Sequence, residues 1–330
     1  FGDIQLNQAA DDKQVALKDT LVGVIALGDE ELADHRLGGH NRIAQITIVD
    51  RHITPAQKNM TLGGNMAGDQ RFNLCPTCII WRHHSKNHLI GGITGGVGSA
   101  LAVALKSEGH QVAGYARDAD RLGEFARQTG CHTLSCDATD PNSVTQTIES
   151  LHKELGSIDG YTHAIGSIFL KPAHLTSDED WLRTIEVNLH SAFYALRAVS
   201  KIMSKQGHGS CLFFSTAAAQ TGIANHEAIA AAKGGIEAMV RSAAASYSSR
   251  GIRINAIAPS LTDTPLSQAI VGNPQALEIS KRMHPLGRIA EAGDIASLAA
   301  WLHSDNAQFV TGQTYVVDGG ISTIVPKPKA

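Results

Sequence analysis

From residue 88 onward the chain alternates short apolar runs with helical patterns of ten or more residues, and few folds accommodate that alternation. Apolar runs at 88–92 and 111–115 flank a helical pattern at 98–108, which reads as a β-α-β unit. Further runs follow at 133–135, 161–165, 211–214, 253–257 and 313–317, with helical patterns at 141–155, 177–205 and 227–249. Strands joined through helices are paired in parallel, and a parallel strand covered on both faces reads as a continuous apolar run. The expected fold class is α/β, a doubly wound parallel sheet. Residues 1–86 are different: rich in Gln, Asn, His and Asp, with strand-like alternation only at 43–49. We read 1–86 as an N-terminal extension and 87–330 as a single domain. The first residue is Phe1, which points to a processed or fragmentary start, and two readings of the extension stay open: partly upstream sequence, or a small genuine element.

With 330 residues, 43% hydrophobic and 18% charged, the chain can bury a large core. Its formal charge is -3 and no cluster of five basic residues occurs, so neither nucleic acid nor a membrane surface is an expected partner. A partly apolar small molecule is. Five cysteines form an odd number over a long chain and do not look like a disulfide framework, so a reducing cytoplasm is the expected location. No apolar run approaches the ~20 residues of a membrane span.

Glycines cluster in Ile90-Gly91-Gly92-Ile93-Thr94-Gly95-Gly96-Val97-Gly98, between the first apolar run and the first helix. Free amides at the start of a helix can hold a pyrophosphate, so this position favours nucleotide binding over a plain turn, and with it a Rossmann-like fold. The next strand ends Tyr115-Ala116-Arg117-Asp118. An acid at that strand end would hold a ribose 2'-hydroxyl, whereas a guanidinium just beyond it suits a 2'-phosphate. Ala116 followed by Arg117 points to NADP(H) in preference to NAD(H).

From 88 to 321 the sequence resembles the short-chain dehydrogenase/reductase family. Gly92, Gly96 and Gly98 match its glycine turn, which the resemblance extends to Thr94 and Val97. Asp137-Ala138 resembles the adenine contact of the family, and His163-Ala164-Ile165-Gly166 stands where Asn-Asn-Ala-Gly is common, with Ala164 and Gly166 implied at the cofactor. Asn188 is similar to the helix asparagine of the active site, and Asn255-Ala256-Ile257-Ala258-Pro259-Ser260 resembles Asn-x-x-x-Pro-Gly, with Thr264 meeting the cofactor. The segments 285–288 and 312–320 match the C-terminal signature. The resemblance also implies a homodimer or homotetramer.

In that family a hydroxyl residue ends the strand before the active-site helix; here it is Ser215 or Thr216, and Thr216 fits the spacing better. Lys233 takes the place of the family's ribose-binding lysine. One helical turn earlier, where a proton-donating tyrosine is usual, stands Ile229, and an aliphatic side chain donates no proton. His226, seven residues before Lys233, lies on the same helical stripe about 10 Å away along the axis. A histidine there could supply the proton, or simply cap the helix. Ala218, another place where related enzymes keep a tyrosine, is also empty, and Tyr161 and Tyr194 read as packing residues.

Cys75, Cys78, His83 and His88 have the spacing of a zinc knuckle, but without the glycines that fold one, so no metal is expected. Residues 265–284 should form a lid and read as loop-like, with apolar members Leu266, Ile270, Val271, Leu277, Ile279 and Met283. The expected function is an NADPH-dependent reductase acting on a carbonyl or an enoyl thioester, with Thr216, Lys233, Asn188 and either His226 or a water at the chemistry. The alternative is a cofactor-binding protein without turnover, a sensor or assembly component.

Overall fold

The computed structural model describes residues 44–46, 60–62 and 85–325. The chain divides into two compact units, Phe1–His84 and Ser85–Ala330. In the first, β1 (Ala44–Ile46) and β2 (Met60–Leu62) pair antiparallel, with Ala44 opposite Leu62. Cys75, Cys78 and His83 of the zinc-like pattern lie outside the described residues. Among the described residues no group of three or more His, Cys, Asp or Glu side chains is placed to hold a metal ion.

The second unit is built on a seven-stranded sheet, all of whose pairings are parallel. Its strands are β3 (Asn87–Gly91), β4 (Gln111–Ala116), β5 (His132–Ser135), β6 (Gly160–His163), β7 (Gly209–Phe214), β8 (Ile252–Pro259) and, after the two-residue pair β9 (Thr262–Asp263) and β10 (Ala290–Glu291), β11 (Thr314–Val317). They lie in the order β11-β8-β7-β6-β3-β4-β5. The chain winds outward from β3 to β5, then returns to the other side of β3 with β6. That reversal opens a crevice outside the carboxyl ends of β3 and β6, where such sheets bind ligands.

Neighbouring residues of one strand serve opposite faces, as the two-residue period requires. Leu89 of β3 joins a core with α3 (Pro141–Leu155), α5 (Ser191–Gln206) and α6 (Glu227–Tyr247). Ile90 beside it joins a core with α1 (Gly96–Ser107), α2 (Ala119–Thr129) and α9 (Ala292–His303). The helices start and stop where the sequence supplies caps. Asp118 accepts from the Arg121 amide at the start of α2, Asp140 and Pro141 open α3, and Gly130 ends α2 in the left-handed conformation. Among the described residues no helix is long and apolar enough to cross a membrane.

Two expectations need correction. The helix expected over 177–205 is present over 178–206 but is not α-helical throughout: α4 (Asp178–Ile185) and α5 are joined by a π-helical turn, Glu186–His190. The stretch at 265–284 is not a loop but carries two helices, α7 (Gln268–Val271) and α8 (Pro274–Met283), the second opened by Asn273, whose carboxamide oxygen caps two amides. The Asn-Pro pair was the readable signal for that start. His284 anchors the end of α8, with its ring nitrogens at the Ser280 carbonyl (2.6 Å) and the Ser260 hydroxyl (2.8 Å).

At the opposite edge of the sheet His88 packs between His110 and His303, with ring centroids 5.1 and 5.3 Å apart, and neither of its nitrogens has a hydrogen-bond partner among the described residues. Burial holds His88 well below the ordinary histidine value and lowers His303 to about 3, and His163 at the end of β6 is likewise lowered by burial to about 3. These rings stay neutral in the fold and become protonated once exposed. Between the ordinary value of 6.5 and about 3 the unfolded chain therefore binds more protons, so the stability they confer is complete above pH 6.5 and declines as pH falls through that window. Urea midpoints should drop between about pH 7 and about pH 5; equal midpoints would contradict this reading.

Candidate cofactor and active site

The crevice begins at the turn after β3. Gly92 has φ +81°, and a Cβ there would lie 2.5 Å from the Ala164 carbonyl oxygen. A Cβ on Gly98 would lie 2.3 Å from the Gly92 carbonyl oxygen, so the turn folds back on α1 only because both positions are bare. The Ala164 amide donates to the Gly91 carbonyl (2.8 Å) and ties the end of β6 to this turn. Helix α1 starts at Gly96 with no side-chain cap and no acidic residue in its first turn. The amides of Gly96, Val97 and Gly98 thus point along the helix axis toward the crevice, a ready anion site. Thr264, beyond Pro259 and β9, closes on this turn from the side, since a Cβ on Gly96 would sit 2.5 Å from its Cγ2. Its backbone amide is held by the Ser267 hydroxyl (3.1 Å).

Ala116 ends β4, and Arg117 beyond it is exposed. Asp118 is committed to capping α2, its Oδ1 accepting from the Arg121 amide (3.0 Å). Arg121, which the sequence reading missed, donates from Nη2 to the Thr94 carbonyl (2.8 Å), so a second guanidinium lies against the glycine turn. Its signal was present as an arginine three residues after a capping aspartate, one turn beyond Arg117. Asp137 accepts from both the amide and the hydroxyl of Thr139 (2.9 and 2.7 Å), which holds its carboxyl below the usual range, and Ala138 beside it is buried.

Further along the crevice, Gly166, Asn188 and Lys233 come together. A Cβ on Gly166 would lie 2.9 Å from Asn188 Oδ1 and 3.3 Å from Lys233 Nζ. Asn188 Oδ1 accepts from the Ser167 amide (2.9 Å), and its Nδ2 donates to Ser167 Oγ (2.8 Å) and the Thr184 carbonyl (2.9 Å). Lys233 is 7% exposed, donates to the Phe214 carbonyl (2.9 Å) and has no carboxylate partner among the described residues; burial lowers it to about 8.

Ser215 and Thr216 separate. Ser215 is buried, with its hydroxyl on Glu237 Oε1 (2.7 Å), so it is turned into α6 and away from the crevice. Thr216 is the partly exposed hydroxyl at the end of β7, its Oγ1 accepting from the Ala218 amide (3.3 Å). Ile229 is 6% exposed, one turn before Lys233. His226 occupies the N-cap position of α6 without bonding its amides. Its Nδ1 meets the Ala224 carbonyl (2.8 Å); since a carbonyl only accepts, Nδ1 carries the proton and Nε2 is left free. Tyr161 is fully buried, its hydroxyl engaged by Tyr115 (2.8 Å) and His163 (3.0 Å), and burial raises its pKa well above the ordinary value.

A family model described as enoyl-(acyl carrier protein) reductase matches residues 92–322, which span this entire arrangement. The chain belongs to the short-chain dehydrogenase/reductase family. As a short-chain dehydrogenase/reductase it is a nicotinamide-dependent oxidoreductase. D-threitol dehydrogenase of Mycolicibacterium smegmatis is 31% identical over 245 residues, covering 73% of this chain and 94% of that protein. A 3-oxoacyl-acyl-carrier-protein reductase of Escherichia coli is 31% identical over 235 residues, covering 71% and 96%. The solved structure of a gluconate 5-dehydrogenase from Burkholderia cenocepacia, in complex with NADP and tartrate, superposes with a TM-score of 0.69 at 25% identity, covering 73% and 96%.

The depressed Lys233 gives this short-chain dehydrogenase/reductase a measurable signature. Between about 8 and the ordinary 10.5 the unfolded chain holds a proton that the folded chain has released, so Lys233 makes stability rise with pH across that window. Lys233→Met should flatten the rise and weaken binding of a nicotinamide dinucleotide by about tenfold or more. An unaltered slope in the variant would show that the amine is not buried as described.

Proposed function

We propose that this protein is an NADPH-dependent reductase of a carbonyl or enoyl substrate, with the cofactor laid along the carboxyl ends of β3, β6 and β7. The observation that carries the reading is the pairing of an uncapped, bare-faced glycine turn with a buried lysine that has no counter-charge, joined along one sheet edge through Ala164 and Gly166. The residues fit such a cofactor, because both glycine faces are too close for any side chain and the helix amides have no competing acid. The amides of Gly96, Val97 and Gly98 would hold the pyrophosphate and Lys233 the nicotinamide ribose. Bound there, the nicotinamide would supply or take up a hydride.

Preference for the phosphorylated cofactor is supported by the charges at the end of β4. Asp118 is occupied as a helix cap, while Arg117 and Arg121 offer two guanidinium groups in its place. Thr216 would orient the substrate oxygen and Asn188 would fix the local helix. His226 would then carry the proton: with Nδ1–H on the Ala224 carbonyl, Nε2 is bare in the neutral ring and takes up a proton, and the charged ring so formed gives that proton to the reduced substrate. The apolar members of the lid, with Leu266, Ile279 and Met283 exposed, suit a partly greasy substrate. A second reading, an NADP(H)-binding sensor or assembly component without turnover, is favoured by Ile229, which has no proton to give.

Titration with NADPH and NADH, followed by assay against ketones and enoyl thioesters, separates these readings. NADPH should bind more tightly, and Arg117→Ala and Arg121→Ala should each weaken NADPH by about tenfold while leaving NADH unchanged. Equal affinity for both coenzymes would refute the preference. His226→Phe should abolish turnover and spare NADPH affinity; full activity in that variant rules out His226 as the proton carrier, and tight binding without any turnover in the native chain supports the sensor.

A further inference from the structure

His163 stands at the end of β6, 1% exposed, in a chain of polar groups that no catalytic role explains. Tyr115 and Tyr161 hydroxyls meet at 2.8 Å, the Tyr161 hydroxyl meets His163 Nδ1 at 3.0 Å, and His163 Nε2 meets Ser191 Oγ at 3.0 Å. The chain ends where Ser191 Oγ meets the Val187 carbonyl at 2.6 Å. That last bond fixes the direction of every other. A carbonyl only accepts, so the Ser191 hydroxyl proton is spent on Val187, and Ser191 must accept from His163 Nε2–H. Nδ1 is then bare in a neutral ring and accepts from Tyr161, which in turn accepts from Tyr115.

This polarity bears on the backbone. Ser191 is the first residue after the π-helical turn, and its amide donates to the Glu186 carbonyl, five residues back. In an α-helix that amide would instead meet Val187, four residues back. The Ser191 hydroxyl supplies the bond the amide has left, so the wider turn keeps the Val187 carbonyl satisfied. Asn188 sits within this turn, and from it reaches Ser167 and comes beside Gly166 and Lys233.

We propose that His163 is a positioning residue: through Nε2–H it orients the Ser191 hydroxyl onto Val187, holds Glu186–His190 in the π register, and thereby sets Asn188 against Gly166 and Lys233. The inference rests on the reading of that corner as the nicotinamide half of the cofactor site. Its backbone part stands without any ligand.

The experiment compares His163→Phe, His163→Gln, Ser191→Ala and the His163→Phe/Ser191→Ala double variant. Affinities are measured for NADPH and for 2',5'-ADP, which spans only the adenosine half. His163→Phe and Ser191→Ala should each weaken NADPH about tenfold while leaving 2',5'-ADP within about twofold, and the double variant should be no worse than the worse single. The terminal amide of His163→Gln reaches the Nε2 position and should restore most of the loss. Without ligand, amide exchange at Leu189–Ser191 should quicken by about tenfold or more in Ser191→Ala, with α3 unaffected. Unchanged exchange and unchanged NADPH affinity overturn the inference, and so does equal weakening of both ligands, which would mark a general structural role. Should His163→Phe fail to fold, the Ser191→Ala exchange result decides alone. If the native chain ignores both ligands, the cofactor reading fails, and exchange still decides whether His163 and Ser191 hold the turn.

Discussion

The Lys233 ammonium is the group around which the site is organised. It lies buried on α6 with one carbonyl, Phe214, as hydrogen-bond partner and no carboxylate beside it. Burying a charge without a counter-ion costs the fold stability, and the depression of Lys233 to about 8 records that cost. A hydrocarbon of the same length would pack there with less penalty. What the amine offers in return is a fixed donor at the carboxyl edge of the sheet, next to Gly166 and Asn188, in a place no solvated lysine could hold so firmly. Groups kept at a cost are concentrated at functional sites, and this one faces a crevice whose other end is a glycine turn with uncapped helix amides.

The same edge is built largely from bare backbone. Gly92, Gly98 and Gly166 remove side chains from a strip running from the first turn to the amine, and the end of β6 is pinned to β3 through Ala164 and Gly91. The π-helical turn widens the α4–α5 helix at the place where Asn188 must look back at the sheet. Side-chain hydroxyls then satisfy the carbonyls that irregular backbone would leave exposed. Ser191 does so at Val187, and Ser267 at Thr262.

Much of the fold was legible because its determinants are local. Continuous apolar runs gave the strands, and β4, α3 and β7 fall within two residues of where the pattern put them, α3 spanning Pro141–Leu155. Helix α8 was missed because residues 265–284 mix polar and apolar side chains without a clean stripe, and α8 buries no residue fully. The π turn has no sequence period of its own; it follows from where the Ser191 hydroxyl and amide each find a carbonyl, a matter of tertiary contact. The spacing already favoured Thr216 over Ser215, whereas the contact of Ser215 with Glu237 is likewise a matter of tertiary structure. Arg121 was overlooked because its contact with Thr94 joins α2 to a turn 27 residues away in sequence. The absence of a tyrosine at Ile229 was plain from the sequence, whereas the tautomer of His226 needed the Ala224 carbonyl to be placed.

The most direct test is the crystal structure of the protein grown with NADPH. The account requires the pyrophosphate on the amides of Gly96, Val97 and Gly98, and a ribose hydroxyl within hydrogen-bond distance of Lys233 Nζ. A cofactor bound elsewhere, or one whose nicotinamide half lies away from Lys233, would contradict it.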